Sequence, residues 1–189
     1  MPNDEDNEVN FFLSLFNNTP IKDELIKNIK YFREGFMYAY RIFKKDYGLQ
    51  NQKQDTRIGS IGHIQTNLKL VLDYINIADS IFKGKKNEDF SVGVKKIGMA
   101  SAELILVLEL LVTSPNLKLE DEKLYLSAKK IIFDELIKIK TLYKSLGLDL
   151  SNSRSYIIKK FKKISKTTIL DDNHKRLLAE IASFLTSKS

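Results

Sequence analysis

The fold of this chain is decided by residues 97–113, which read IGMASAELILVLELLVT. As a helix this stretch is apolar on nearly every side, interrupted only by Ser101, Glu103 and Glu109. It is short and carries two carboxylates, so it is a poor membrane span. A helix that is hydrophobic on most of its surface lies at the centre of a domain. We therefore predict a buried central helix over about 91–113, where Gly98 and Ala102 let a neighbouring helix approach closely.

Apolar residues on both sides of this segment recur at steps of three and four, the period of helices with one buried face. Such stripes predict long helices over 21–47, 57–83 and 120–147, a helix over about 153–166 and another from about 171. A short helix near 11–16 precedes them. The sequence thus predicts an all-α, single-domain bundle of about five to seven helices over 1–189, with 1–10 as a flexible acidic leader.

The stripe residues are the predicted core. They are Leu25, Ile29, Phe32, Phe36, Tyr40 and Phe43; Ile61, Ile64, Leu68, Val71, Ile75, Ala78 and Phe82; Tyr125, Ala128, Ile132, Leu136, Ile139, Tyr143 and Leu146; and Leu178, Ile181 and Leu185.

Glycine, proline and polar clusters mark the predicted helix ends. Gly48 is predicted to cap the first long helix, with Leu49 closing a hydrophobic contact after it. The polar segment 50–56 and the charged segment 85–89 are predicted as exposed loops. Gly84, Ser114-Pro115 and Gly147 are predicted to end the helices before them.

The composition limits the kinds of site and partner that the protein can have. The 189 residues carry a net charge of +7 and include no cysteine. The absence of cysteine excludes disulfide scaffolds, cysteine nucleophiles and thiolate zinc sites. The basic balance favours an acidic partner: nucleic acid, a polyanionic glycan, a membrane surface or an acidic protein patch. Lysine far outnumbers arginine, which disfavours specific recognition of nucleic acid. The polar start, 1–6, does not resemble a signal peptide, so a secreted form would have lost its leader.

The strongest charge cluster lies at 154–166, which contains six basic residues and no acidic one. We call it the basic ridge and interpret it as a partner-binding face. The alternative is a solvated face on a peripheral helix, because exposed lysine runs are common. The residues of the basic ridge are Arg154, Lys159, Lys160, Lys162, Lys163 and Lys166.

Tyrosine and glutamate residues supply two further candidate groups. Tyr31, Tyr38 and Tyr47 depart from the apolar stripe of their helix and are candidates for an exposed patch; the alternative is a packed tyrosine whose hydroxyl touches water. Glu103 and Glu109 lie six residues apart, too far around a helix to pair, so each is expected to reach the surface or meet a lysine.

His174 is expected to be a surface histidine at the start of the last helix. No metal-ligand spacing or cofactor motif occurs, and neither a metal nor a cofactor is predicted.

Arg57 and His63 are similar to the arginine–histidine pattern of all-α HEPN ribonucleases. That resemblance would make His63 a general acid or base and Arg57 a stabiliser of phosphate charge. Ile58 departs from the pattern, which has a polar residue after the arginine. The favoured alternative is an arginine at a helix start and an unrelated histidine.

The whole chain resembles the small helical surface lipoproteins of Lyme and relapsing-fever spirochaetes in composition and architecture. It is free of cysteine and rich in Lys, Asn, Ile and Leu, with a polar leader and helices of unequal length. The resemblance implies non-enzymatic capture of a host plasma protein, a complement regulator such as factor H or plasminogen, by a protein lipid-anchored at the cell surface in its full-length form. The basic ridge and the loops 50–56 and 85–89 would be the first surfaces to test. An intracellular helical adaptor, immunity protein or regulator is the alternative.

Overall fold

The computed structural model describes residues 7, 9–10, 20–85, 88–148, 158–159, 162 and 171–187. These residues form seven helices packed around one hydrophobic core, as the sequence predicted. The helices are α1 (Pro20–Lys27), α2 (Ile29–Asp46), α3 (Leu49–Gln54), α4 (Ile61–Phe82), α5 (Phe90–Thr113), α6 (Glu122–Ser145) and α7 (Asp172–Thr186). The predicted helix near 11–16 lies outside the described residues, as does most of the one at 153–166.

The central helix is α5, and its prediction is confirmed. It is buried at nearly every position from Gly93 to Val112, with α2 and α4 making its most extensive contacts. Its approach to α2 is close because both helices present glycine there. A Cβ atom on Gly98 would overlap the carbonyl oxygen of Phe32, and one on Gly35 would overlap that of Lys95. The small residues therefore let the two backbones meet directly.

The apolar stripes of α4, α6 and α7 are also confirmed. Ile64, Leu68, Val71, Ile75 and Ala78 of α4 are buried. All seven predicted stripe residues of the 120–147 segment are buried, as are Leu178, Ile181 and Leu185. Ser60, Asp121 and Asp171 cap the three helices by accepting hydrogen bonds from backbone N–H groups of the first turn.

The prediction of one helix over 21–47 is wrong at a single point. Asn28 separates α1 from α2 with a backbone φ of −109° and ψ of 25°. Its side-chain amide donates to the carbonyl of Glu24 at 2.8 Å. This local hydrogen bond competes with a continuous helix. Ile29, predicted as core, is 43% exposed after the break.

The segment 50–56 is not the exposed loop predicted. Leu49–Gln54 is the helix α3, and Gln52 is buried with its side-chain amide donating to the Tyr47 carbonyl at 2.6 Å. Gly48 has an ordinary φ of −57° and starts α3, and Leu49 is 51% exposed. The prediction that Gly48 and Leu49 close the end of the preceding helix is therefore wrong.

Over the residues that the structure describes, none of the helices combines the length and apolar character needed to cross a membrane. Residue Val9, within the predicted leader 1–10, is buried in the core.

Candidate functional site

One stripe of α2 exposes large side chains beside the face that packs on the core. Tyr31 is 37%, Tyr38 56% and Ile42 40% exposed. They are separated by seven and four residues, so they share one side of the helix. Phe32, Phe36 and Tyr40 of the same helix are buried. We call Tyr31, Tyr38 and Ile42 the tyrosine stripe.

The helix that carries the tyrosine stripe is packed firmly against α5. Gly35 lies between Tyr31 and Tyr38 in the sequence and rests against the backbone of α5 at Lys95. Beside it, the Lys95 ammonium lies 3.4 Å from the Glu34 carboxylate. Phe32, Phe36 and Tyr40 stack in series beneath it in the core, with ring centroids 6.4 and 5.7 Å apart. The exposed side chains therefore project from a helix whose adjoining face is packed.

The stripe lies within a basic helix. α2 carries five basic and two acidic side chains. Lys30 and Lys45 are exposed on it, and the Lys30 ammonium lies 5.6 Å from the centre of the Tyr31 ring. An aromatic ring beside a cation, as at Tyr31 and Lys30, suits an acidic surface that also offers apolar contact.

The sequence identified two residues of this stripe and missed the third. Tyr31 and Tyr38 were predicted as members of an exposed patch, which the structure confirms. Ile42 was overlooked, although its spacing from Tyr38 gave the signal. Tyr47 was assigned to the same patch, and this is wrong because its hydroxyl is hydrogen-bonded inside the bundle.

Tyr47 belongs to a buried polar cluster between α2, α4 and α5. Its hydroxyl oxygen lies 2.8 Å from Asn67 Oδ1 and 2.9 Å from Glu103 Oε1. The Asn67 amide donates to the His63 carbonyl at 2.9 Å. Glu103 is fully buried, and its second oxygen has no hydrogen-bond partner among the described residues. The expectation that Glu103 reaches the surface or meets a lysine is therefore wrong.

Burial controls the ionisation of this cluster. Desolvation raises the pKa of Glu103 to about 7, against the opposing effect of the Tyr47 hydrogen bond. Burial, together with the neighbouring Glu103 carboxyl, also raises the pKa of Tyr47. Burial lowers the pKa of His63, which favours its neutral form.

Arg57 and His63 are engaged with different partners. The Arg57 guanidinium donates to both carboxylate oxygens of Asp55, at 3.0 and 2.9 Å. The His63 ring accepts from the Gly59 N–H at 3.1 Å and stands edge-on to the Tyr47 ring. Each residue therefore has a local hydrogen-bond partner of its own.

His174 lines a cavity of about 460 Å³ between α3, the end of α5 and the start of α7. Its Nδ1 lies 2.8 Å from the Asp171 carboxylate, and its side chain is 12% exposed. His174 is therefore partly buried at the surface of the bundle. The cavity walls mix apolar side chains with charges of both signs, namely Leu49, Lys53, Val112, Thr113, Ser114, Pro115, Leu117, Lys118, Leu119, Glu120, Asp171 and His174.

The basic ridge is described at two of its six residues. Lys159 and Lys162 are helical and exposed. Arg154, Lys160, Lys163 and Lys166 lie outside the described residues. Over 20–85, 88–148 and 171–187, no three acidic or histidine side chains are grouped so as to hold a metal ion.

Comparison of the chain with protein-family models, with curated proteins and with solved structures found no match. The class that the fold and surface define is an all-α bundle with an aromatic, basic outer helix.

Proposed function

We propose that this protein is a non-enzymatic binding protein that captures another protein through the tyrosine stripe. The observation that supports this is the exposure of Tyr31, Tyr38 and Ile42 along one side of a helix whose adjoining face is core. Large aromatic side chains at the surface bury much area on contact and lose few rotamers. Tyrosine is also among the residues that contribute most to protein–protein affinity.

The charge of α2 supports an acidic partner surface. The helix carries five basic and two acidic side chains, and the whole chain carries a net charge of +7. Complementary charge accelerates capture and makes it sensitive to salt. The basic ridge would also favour an acidic partner surface. Its two described lysines are exposed.

The partner we propose is a host plasma protein: a complement regulator such as factor H, or plasminogen. The protein would be displayed at the bacterial cell surface, lipid-anchored in its full-length form. The support for this partner and location is the resemblance in composition and helical architecture to spirochaete surface lipoproteins. An intracellular adaptor that uses the same stripe is the alternative.

The test is capture from human serum on the immobilised protein, at low and at moderate salt. We expect the wild-type protein to retain a complement regulator or plasminogen, and the Tyr31→Ser/Tyr38→Ser variant to lose it. The matched control is Leu126→Ser/Ile137→Ser, which removes two side chains of α6 that are each 50% exposed. Equal retention by the stripe variant, or equal loss in both variants, would exclude the stripe as the binding surface.

A second variant set separates the stripe from the basic ridge. Reversing the charges at Lys159, Lys160, Lys162 and Lys163 should weaken capture and reduce its salt dependence if the ridge takes part. If the immobilised protein retains no serum protein at either salt concentration, the plasma partner is rejected and the intracellular alternative is favoured.

A further inference from the structure

The polar cluster around Glu103 has fewer hydrogens than its acceptors need, which favours a protonated carboxyl group. The Tyr47 hydroxyl carries one hydrogen, yet its oxygen is within bonding distance of two acceptors, Asn67 Oδ1 and Glu103 Oε1. The Asn67 amide nitrogen lies 2.9 Å from the His63 carbonyl oxygen and 3.2 Å from His63 Nε2, and we assign it as the donor to that carbonyl. Its Oδ1 therefore faces Tyr47 and needs the phenolic hydrogen.

If Tyr47 donates to Asn67, the contact with Glu103 needs a hydrogen from the carboxyl group. A protonated Glu103 supplies it, and the chain of donors runs from Glu103 to Tyr47 to Asn67 to the His63 carbonyl. An ionised Glu103 would instead leave either its own Oε1 or Asn67 Oδ1 without a donor. Its Oε2 has no partner in either case. A buried carboxylate so poorly bonded is strongly disfavoured.

No described charge compensates an ionised Glu103. From α2, Tyr47 faces it with Asp46 beyond, and from α4, His63 and Tyr74 lie nearby. From α6, Tyr143 meets α5 at Ser101. Across α2, α4, α6 and α7, no charged side chain that the structure describes acts on the pKa of Glu103, which burial and the Tyr47 hydrogen bond determine. The surroundings therefore favour the neutral acid.

Tyr47 connects this cluster to the end of α2 and to α3. It caps the C-terminal end of α2, and its carbonyl accepts from Gln52 of α3. We propose that Glu103 is a buried, protonated carboxylic acid that latches the C-terminal end of α2 and the adjoining α3 onto α4 and α5, and that loss of its proton releases this latch. The inference does not depend on the proposed function.

The first test is a carboxyl-carbon NMR titration of the full chain. The Glu103 resonance is assigned by its disappearance in Glu103→Gln. Its midpoint should lie near 7, well above the ordinary value of 4.5 for glutamate. A midpoint at or below the ordinary value would overturn the proposal. This measurement uses the wild-type protein, and sequential assignment can replace the variant if Glu103→Gln does not fold.

The second test compares the stability of wild type and Glu103→Gln at pH 5.5 and 8. A carboxyl pKa raised by folding stabilises the protein fully below its unfolded value, and that stabilisation is lost as pH rises through the folded value. The folded-to-unfolded ratio of wild type, relative to the variant, should fall by a factor on the order of ten over this range. His63 is present in both proteins, so its own titration cancels. Parallel pH profiles would overturn the proposal.

The third test locates the released segment by amide hydrogen exchange, corrected for the intrinsic effect of pH. In the wild-type protein, the amides of 47–54 should lose protection at pH 8. In Glu103→Gln they should stay protected. In Tyr47→Phe they should be poorly protected at both pH 5.5 and pH 8. The same loss in wild type and Glu103→Gln would overturn the latch, because it would then not depend on the proton of Glu103.

Discussion

The backbone of Gly98 on α5 lies directly against the carbonyl group of Phe32 on α2. A Cβ atom at position 98 would overlap that oxygen and also approach the Phe36 nitrogen to 3.0 Å. Both atoms belong to the backbone of a packed helix, so neither can move without shifting α2 as a whole.

This contact predicts that Gly98→Ala destabilises the protein, although alanine is the better helix former. Overpacking of a core costs roughly 1–3 kcal/mol, more than the gain of up to about 1 kcal/mol from helix propensity. The matched control is Gly62→Ala in α4, where nothing lies within 4 Å of the added atom. Urea unfolding should show a loss in the first variant and no loss in the second. Equal stability of both would mean that the two helices do not meet at Gly98.

The tyrosine stripe should be dispensable for folding. Tyr38 is 56% exposed, so Tyr38→Ala should change the free energy of unfolding by only about 0.5 kcal/mol. Phe36 is fully buried two residues away, and Phe36→Ala should cost about 3–5 kcal/mol. Thermal unfolding of the two variants measures the difference. A large loss in Tyr38→Ala would assign Tyr38 to the core and remove the basis of the proposed binding surface.

Asn116 joins the segment before α4 to the loop after α5. Its amide nitrogen lies 2.8 Å from the carbonyl oxygens of both Gln52 and Ile58. Asn116→Asp keeps the shape but replaces the donor with an acceptor, leaving two carbonyls unpaired. We expect a loss of roughly 2 kcal/mol or more in chemical denaturation. Asn76→Asp, at an exposed position of α4, should be nearly neutral; a similar loss there would point to charge rather than to the lost hydrogen bonds.

Glu180 should make the protein less stable at low pH, whereas Glu103 should make it less stable at high pH. Partial burial raises its pKa, but contacts with Lys129, Tyr125 and Arg176 outweigh this, and the pKa is lowered from 4.5. A lowered carboxyl pKa gives stability that is present above the unfolded value and lost as pH falls through the folded one.

The corresponding measurement is thermal unfolding of wild type and Glu180→Gln at pH 7 and pH 3. The difference in melting temperature between wild type and the variant should be large at pH 7 and small at pH 3. The control Asp134→Asn affects a carboxylate that is 57% exposed and 3.5 Å from Lys130, and its gap should be small at both values. A gap for Glu180→Gln that does not change with pH would contradict the prediction.

The sequence was sufficient for most helices because their signals are local. The apolar period marks α4 and α6, and Asp121 and Asp171 cap the helices that follow them because a capping side chain reaches only its own first turn. The interruption at Asn28 escaped prediction. Its side chain can bond to the preceding turn or face solvent, and the pattern of apolar residues is the same in both cases.

The buried cluster escaped prediction for a different reason. Tyr47 and Glu103 are 56 residues apart in the chain, and each alone is an ordinary polar residue on an amphipathic or apolar helix. Only the packing of α2 and α4 on α5 places the phenol, the carboxyl and the Asn67 amide within hydrogen-bond distance and removes water from them.

The sequence by itself determined that the chain is a helical bundle and that 91–113 is its centre, because burial of an all-round apolar helix follows from the cost of exposing it to water. The tertiary structure decided which polar groups were buried and which aromatic rings remained outside. Those outcomes depend on the rotation of each helix about its axis, and that rotation is set by contacts such as Gly98 against Phe32, between residues distant in the sequence.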